Sequence, residues 1–249
     1  MQKRLTIIGG GKSGIGAAQL AIQKSWDVFM TDASVISDDN RAVLDQLGVR
    51  WEDGGHSEKA LSNCGLLIKS PGVPGDVSIV QEAVSMNIPV ISEIEFASSY
   101  TKGKIVGVTG TNGKTTTCHM IAHILRREGE DVALAGNIGN SFAAELAAND
   151  HEWWVLELSS FQLDDIENFH PHIAVLLNIT PDHLDRYSSL MDYAQSKMKI
   201  VQNQTKEDHF IFNLDDEMIA AQMEEMEISS NLLPISQTKI LETGAWTSD

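Results

Sequence analysis

Two glycine-rich turns, each placed between an apolar strand-like run and a helix-like run, constrain this chain more than any other feature. The first is Gly9-Gly10-Gly11-Lys12-Ser13-Gly14, directly after "RLTII". The second is "GVTGTNGKTTT", Gly107 to Thr117. Such a turn lets backbone N–H groups converge on an anion at the start of a helix. Around both turns the pattern alternates. "DVFMTD", "GLLIKSPG" and "PVISEIEF" read as strands in the first half, with helical patterns at Gly14–Lys24, Asp39–Gln46 and Ser78–Met86. The rhythm restarts at Lys104 with "KIVGVTG", a helix over Lys114–Glu128, and strands at "DVALAG", "WWVLELS", "IAVLLNI" and "HFIFN". Further helices are expected over Ser189–Asn203 and Asp216–Glu225. Strands alternating with helices indicate parallel sheets covered on both faces.

The expected fold class is therefore α/β. A Rossmann-like parallel-sheet domain over residues 1–96 precedes a P-loop-type α/β domain over 97–249, with the boundary between Glu93 and Lys102. The terminal "LLPISQTKILETGAWTSD" reads as β-type sequence with no closing helix, so a longer natural protein is expected.

Charge narrows the partners. The chain has 249 residues and a formal charge of −17, which argues against nucleic acid and anionic membranes, both polyanions. The two cysteines, Cys64 and Cys118, match no metal spacing and fit a reducing cytoplasm. No segment has signal-peptide or transmembrane character.

The first turn satisfies G-x-G-x-x-G, and Asp32 ends the next strand roughly 20 residues on. Gly9 permits the tight turn, Gly11 the close approach of a diphosphate, and Gly14 close helix packing. This pattern suits NAD, but it equally suits any ligand carrying a diphosphate. The second turn departs from the usual phosphate loop, which wants glycine five residues before Gly113, where Val108 stands. Its backbone N–H groups, Lys114 and the Thr115 hydroxyl still form a set able to hold a triphosphate and Mg²⁺. Glu157 ends an apolar strand, where open parallel sheets place ligand groups, and a carboxylate there is a hard ligand for Mg²⁺. Alone it would read as a solvated strand-end acid. His183 follows the next strand, flanked by Asp182 and Asp185. Lys197 and Lys199, on one helix, would ordinarily form a solvated face.

"GTNGKTT" resembles the loop of the Mur ligases and folylpolyglutamate synthetases, with Thr111 and Asn112 between the two glycines. Further matching strings are "SPGV" (Ser70–Val73), "EIEF" (Glu93–Phe96), "GNIG" (Gly136–Gly139) and "LELSSFQL" (Leu156–Leu163). "NITPDHLDRY" (Asn178–Tyr187), "YAQSK" (Tyr193–Lys197) and "NLDD" (Asn213–Asp216) complete them. In order and spacing they are similar to the Mur ligase branch that adds D-glutamate, and "ELSSFQ" separates that branch from its sisters.

The resemblance implies a cytoplasmic, monomeric, ATP-dependent ligase of peptidoglycan synthesis. It would join D-glutamate to UDP-N-acetylmuramoyl-L-alanine through an acyl phosphate. Gly110, Thr111, Asn112, Gly113, Lys114, Thr115 and Thr116 would hold ATP. Two Mg²⁺ sites are implied, drawing on Thr115, Glu157, His183 and Lys197, the last as a carbamylated lysine. Lys114, Glu157, His183 and Lys197 would be catalytic. Ser13, Asp32, Ser70, Gly72, Asn137, Ser159 and His183 would bind the UDP substrate. Where the family pattern offers Asp-Thr-Arg around the uracil, this chain has Asp32-Ala33-Ser34. The D-glutamate site and part of the adenine site are expected beyond Asp249, so this length of chain alone is expected to be inactive. Another amino acid as acceptor, an NAD-dependent dehydrogenase and a non-catalytic nucleotide module remain alternatives.

Overall fold

The structure, a computed structural model, describes residues 4–182 and 186–247. In chain order the elements begin β1 (Arg4–Ile8), α1 (Lys12–Gln23), β2 (Asp27–Thr31), α2 (Asp38–Gln46), β3 (Arg50–Glu52), β4 (Cys64–Lys69), α3 (Ser78–Ser85), β5 (Val90–Ser92) and α4 (Glu93–Ser98). They continue with β6 (Lys104–Thr109), α5 (Lys114–Arg127), β7 (Val132–Gly136), α6 (Phe142–Ala148), β8 (Trp153–Glu157), α7 (Ser160–Asp164) and β9 (Ile173–Leu176). The last are α8 (Leu190–Met198), β10 (His209–Asn213), α9 (Glu217–Glu225), β11 (Asn231–Ser236) and β12 (Ala245–Trp246). The strands build two sheets, ordered β3-β2-β1-β4-β5 and β12-β11-β10-β9-β6-β8-β7. Every strand pairing in both is parallel, as the strand–helix alternation requires. Among the described residues no helix is long and apolar enough to cross a membrane.

The chain forms two compact units. One comprises the residues up to Thr101 together with Asn140–Asp150 and Asp165–Glu167. The other comprises Lys102–Gly139, His151–Asp164 and Asn168 onward.

In the first unit, β1 lies between β2 and β4, so the chain leaves β1 toward one side and later returns to its other side. That reversal opens a crevice at the carboxyl ends of β1 and β4. Ile8, Phe29, Leu67, Ile79, Val80 and Ala83 pack one face of the sheet. Helix α1 shows why glycine and alanine dominate "GKSGIGAAQLA". Gly14, Gly16, Ala17, Ala18 and Ala21 are buried. A Cβ on Gly14 would stand 1.9 Å from the Gly9 carbonyl oxygen, and one on Gly16 would stand 2.0 Å from Ser141 Oγ. The small face thus admits α6, which packs on α1 and α4. Ser141 caps α6 by accepting from Ala144 N at 3.3 Å. Lys69 pairs with Asp165 at 2.7 Å, and the Glu95 carboxylate accepts from Glu167 N at 3.0 Å.

"PVISEIEF" is not one strand. β5 stops at Ser92, whose hydroxyl accepts from Glu95 N at 3.1 Å, and α4 starts at Glu93. A serine cap followed by two acids in the first turn favours the helix, and this overrides the apolar alternation. α6, α7 and β3 are short elements that the strand–helix rhythm of the sequence does not announce.

In the second unit β6 is central, between β8 and β9. Val106, Val108, Val155 and Val175 form its core with Cys118 and Ala122 of α5. These β-branched runs are buried on a sheet face, which is why they read as continuous apolar stretches.

Glu93 is a buried carboxyl of the first unit. It is 1% exposed, one carboxylate oxygen accepts from Ala143 N, and among the described residues Oε2 is buried with no hydrogen-bond partner. Burial pushes its pKa up to about 7, against the pull of the Ala143 N–H. The folded chain therefore binds this proton more tightly than the unfolded chain. Its stabilising contribution is complete below the unfolded value near 4.5 and is lost as pH rises through about 7. Glu93→Gln is expected to raise the thermal midpoint by several degrees at pH 8 and by little at pH 4, a difference of about 3 kcal/mol. Melting curves at the two pH values check this. An equal shift at both would remove the ionisation account.

Candidate active site

Both glycine turns lie at carboxyl ends of parallel strands. In the first, Gly9 adopts φ +99°, and a Cβ there would meet Ser70 Oγ at 2.7 Å. Ser70 donates to the Gly9 carbonyl at 3.3 Å, which joins the turn after β4 to the turn after β1. Cβ atoms at Gly11 and Gly72 would meet nothing within 4 Å, so the backbone is open to a ligand at both. Ser13 is in the first turn of α1. The Asp32 carboxylate accepts from Gly10 N at 2.6 Å and from Ser34 N at 2.8 Å. Asn40 Nδ2 donates to the Gly10 carbonyl at 2.8 Å. Asp32 thus ties the glycine turn to the loop that follows β2. The loop beyond it is held by Asp53, which accepts from Ile36 N at 2.9 Å and pairs with Arg41. This Asn40–Arg41–Asp53 support is not visible as a motif, because its members are separated in sequence and individually ordinary.

In the second unit, adjacency of β6, β8 and β7 brings three carboxyl ends together. Gly113 is left-handed at φ +84° and precedes α5. Lys114 Nζ folds back onto the carbonyls of Gly110 (2.9 Å) and Thr111 (2.8 Å). Thr115 Oγ1 donates to Glu157 Oε2 at 2.7 Å, and Asn137 Nδ2 donates to Oε1 at 3.0 Å. Glu157 is 3% exposed, so it is no solvated strand-end acid. Gly136, at φ +104°, lets the backbones close: a Cβ there would lie 2.4 Å from the Glu157 carbonyl oxygen. Thr116 is exposed on the first turn of α5. Ser159 is fixed by Gln162, whose Oε1 accepts from Ser159 N at 2.9 Å and Oγ at 3.0 Å.

The β9 side clasps the loop. Asn178 Oδ1 accepts from Asn112 N at 2.8 Å, and its Nδ2 donates to the Asn112 carbonyl at 3.0 Å. Thr111 Oγ1 donates to Thr180 O at 3.2 Å and accepts from Thr180 N at 3.0 Å. Asn178 and Gln162 belong to the strings noted in the sequence, but their task of fixing neighbours emerges only in three dimensions.

Lys197 is 1% exposed, its ammonium donates to the Gly110 carbonyl at 3.0 Å, and it lies 4.4 Å from the Tyr193 ring centroid. Burial, with Lys114 nearby, depresses its pKa to about 7 against the opposing pull of Asp182 and Asp164. Lys199 instead pairs outward with Asp164. The two lysines thus differ in kind. His183 and Asp185 lie outside the described residues. Among the described residues no three His, Cys, Asp or Glu side chains converge on a metal position. The oxygens of Thr115 and Glu157 nevertheless form a pair of hard donors beside the loop, which suits Mg²⁺. Further along the same edge, a cavity of about 410 Å³ opens among Asn213, Asp215, Ser236, Gln237 and Trp246.

Comparison with known proteins agrees with this geometry. Residues 4–79 match the MurD N-terminal domain and residues 108–240 the Mur ligase middle domain. UDP-N-acetylmuramoylalanine–D-glutamate ligase of Christiangramia forsetii is 46% identical over 247 residues, covering 99% of this chain and 56% of that protein. The Bacteroides fragilis protein of the same name is 46% identical over 248 residues, covering 99% of this chain and 56% of that protein. The chain therefore spans about half the length of the curated relatives it matches.

Among solved structures, UDP-N-acetylmuramate:L-alanyl-gamma-D-glutamyl-meso-diaminopimelate ligase from Neisseria meningitides aligns with a TM-score of 0.67 at 18% identity, covering 98% of this chain and 83% of that one. UDP-N-acetylmuramate-alanine ligase from Thermotoga maritima aligns with a TM-score of 0.57 at 23% identity, covering 95% and 53%. These two are similar in fold. With two family models matched in order, one of them across more than half of its residues, the chain belongs to the Mur ligase family.

Proposed function

We propose that this chain supplies the UDP-substrate and ATP sites of a ligase that joins D-glutamate to UDP-N-acetylmuramoyl-L-alanine, forming ADP. Residues 1–96 carry the UDP-substrate site and residues 97–249 the ATP site. The observation that carries the reading is the buried Glu157 carboxylate held by Thr115 and Asn137 beside a lysine-bearing glycine loop. The relatives named for this reaction support the choice of amino acid.

Forming an amide from a carboxylate first requires that carboxylate to attack the γ-phosphate of ATP, and the two anions repel. Positive charge must stand between them. Lys114 is positioned to exchange its loop carbonyls for phosphate oxygens. The backbone N–H groups from Gly110 to Lys114, with Thr116, orient the phosphates. Mg²⁺, held by Thr115 and Glu157 and at a second site by Glu157, His183 and Lys197, would neutralise the charge developing on the phosphate and carboxylate oxygens. Asn137 and Ser159 orient the substrate carboxylate. Ser13, Ser70, Gly72 and Asp32 hold the UDP end. The unpaired thiols of Cys64 and Cys118 fit a cytoplasmic setting.

An ammonium cannot ligate a metal, so the role of Lys197 requires carbamylation. The neutral amine attacks CO₂, an N–C bond forms, and a proton is released to solvent, leaving an anionic carbamate. Burial without a carboxylate in ion-pair contact favours the neutral amine that this step needs.

Calorimetric titration of the chain with UDP-N-acetylmuramoyl-L-alanine, ATP–Mg²⁺ and NAD tests the assignment. The first two are expected to bind and NAD is not. Lys114→Ala is expected to weaken ATP by about ten- to a hundredfold. Binding of NAD without the UDP substrate would overturn the proposal.

Incubation with carbon-13-labelled bicarbonate tests Lys197 separately. A carbamate resonance is expected that strengthens above pH 7 and vanishes in Lys197→Met. Its persistence in that variant would assign the carbamate elsewhere.

A further inference from the structure

The first unit holds a second place suited to an anion, away from its glycine turn. A cavity of about 440 Å³ is lined by Arg4, Arg50 and Lys59 together with Phe29, Trp51, Glu52 and Ser62. Three cations around one cavity are notable in a chain of formal charge −17. Arg4 opens β1, whereas the glycine turn follows the other end of that strand, about 15 Å along. The cavity is therefore distinct from the carboxyl-edge site.

The cations have donors to spare. The Arg4 side chain is 12% exposed and is fixed from three directions. Its guanidinium lies 5.3 Å from the Phe29 ring centroid, Nη1 donates to the Lys59 carbonyl at 2.9 Å, and Nε stands 3.6 Å from Asp27 Oδ2. That last separation is an ion-pair contact but no hydrogen bond, and among the described residues Nε is buried without an acceptor. A guanidinium carries five N–H donors, so among the described residues most of those on Arg4 are unspent. Arg50 commits one nitrogen to Asp27 at 2.6 Å and, among the described residues, has no other acceptor. The Lys59 ammonium has no acceptor among the described residues.

The nearby acids do not neutralise this set. Asp27 is shared between Arg4 and Arg50. Glu52 already accepts from Ser57 N (2.8 Å), Ser57 Oγ (2.5 Å) and Thr31 Oγ1 (3.0 Å). Those bonds hold its carboxyl below the usual range against the opposing effect of burial. Three cations against two engaged carboxylates leave a positive cavity with free N–H groups. Arginine forks match the oxygens of a phosphate, and the buried one is already immobilised.

We propose that this cavity binds a small phosphate-bearing anion, with Arg4 as the fixed element and Arg50 and Lys59 closing on it from the exposed side. It is independent of the ligase reading and of either glycine turn. The test uses the nitrogen-15-labelled chain, titrated with inorganic phosphate at constant ionic strength, reading the Nε–H resonances of Arg4 and Arg50. A saturable shift is expected, together with at least tenfold weaker binding in the double variant Arg50→Gln, Lys59→Gln. Both side chains are exposed, so the melting temperature is expected to hold. Phosphate shifts at the amides of Gly10 and Lys114 serve as internal references and are expected to be unchanged in the variant. Three results would each overturn the proposal: no saturable shift at the arginines, the same affinity in the variant, or an equal response to succinate or chloride.

Discussion

The carboxylate of Glu157, buried at the carboxyl end of β8, sets the conditions that its neighbours meet. A buried charge is costly unless hydrogen bonds replace its water, and here Thr115 and Asn137 provide them. One donor stands in the first turn of α5, after β6, and the other directly follows β7, so the bonds require β6, β8 and β7 to lie side by side in register. Gly136 completes the requirement: any side chain there would strike the Glu157 backbone, and Asn137 N donates to the Glu157 carbonyl at 2.9 Å. The glycine that looks like part of a motif is thus a packing necessity of the strand that bears the acid.

Two cations crowd the loop that follows β6. Gly110 O accepts from both Lys114 (2.9 Å) and Lys197 (3.0 Å), so two ammonium groups converge on one carbonyl. Burial of Lys197, with the repulsion from Lys114, accounts for its lowered pKa. In this state the loop is folded onto its own lysine. An incoming polyanion would offer Lys114 better acceptors than two carbonyls and would relieve the repulsion. The loop therefore gains more from a highly charged ligand than a loop with a single cation would.

The features that could be read from sequence are those whose signals are local. Strand–turn–helix openings, the glycines at Gly9, Gly14 and Gly113, and the strand bearing Glu157 follow from patterns a few residues long. α4 was hidden inside an apparent strand because its signal, the Ser92 cap, competes with alternation in "PVISEIEF". Lys197 looked like a surface lysine. Its burial depends on Gly110, distant in sequence, and only the family resemblance singled it out. Nothing local shows that Asn140–Asp150 joins the first unit, since the signal is the small face of α1 that receives it. The basic cavity is the extreme case, because Arg4, Arg50 and Lys59 are unremarkable until β1 and β3 and the turn before β4 bring them together.

The two glycine turns also differ in charge, and the difference has a direction. At the first, the Asp32 carboxylate already occupies the Gly10 N–H, so an anion arriving there meets a negative group and one fewer donor. At the second, two lysines donate to the loop carbonyls, and the Glu157 carboxylate is engaged by a hydroxyl and an amide. Similar backbone turns are therefore tuned oppositely. The first favours an anion of modest charge whose remaining parts supply affinity, as a diphosphate joined at both ends would. The second favours dense charge, as a triphosphate has. The ligase proposed above would exploit this asymmetry, because a pair of equally cationic loops would let a triphosphate compete for the place of a diphosphate-bearing substrate.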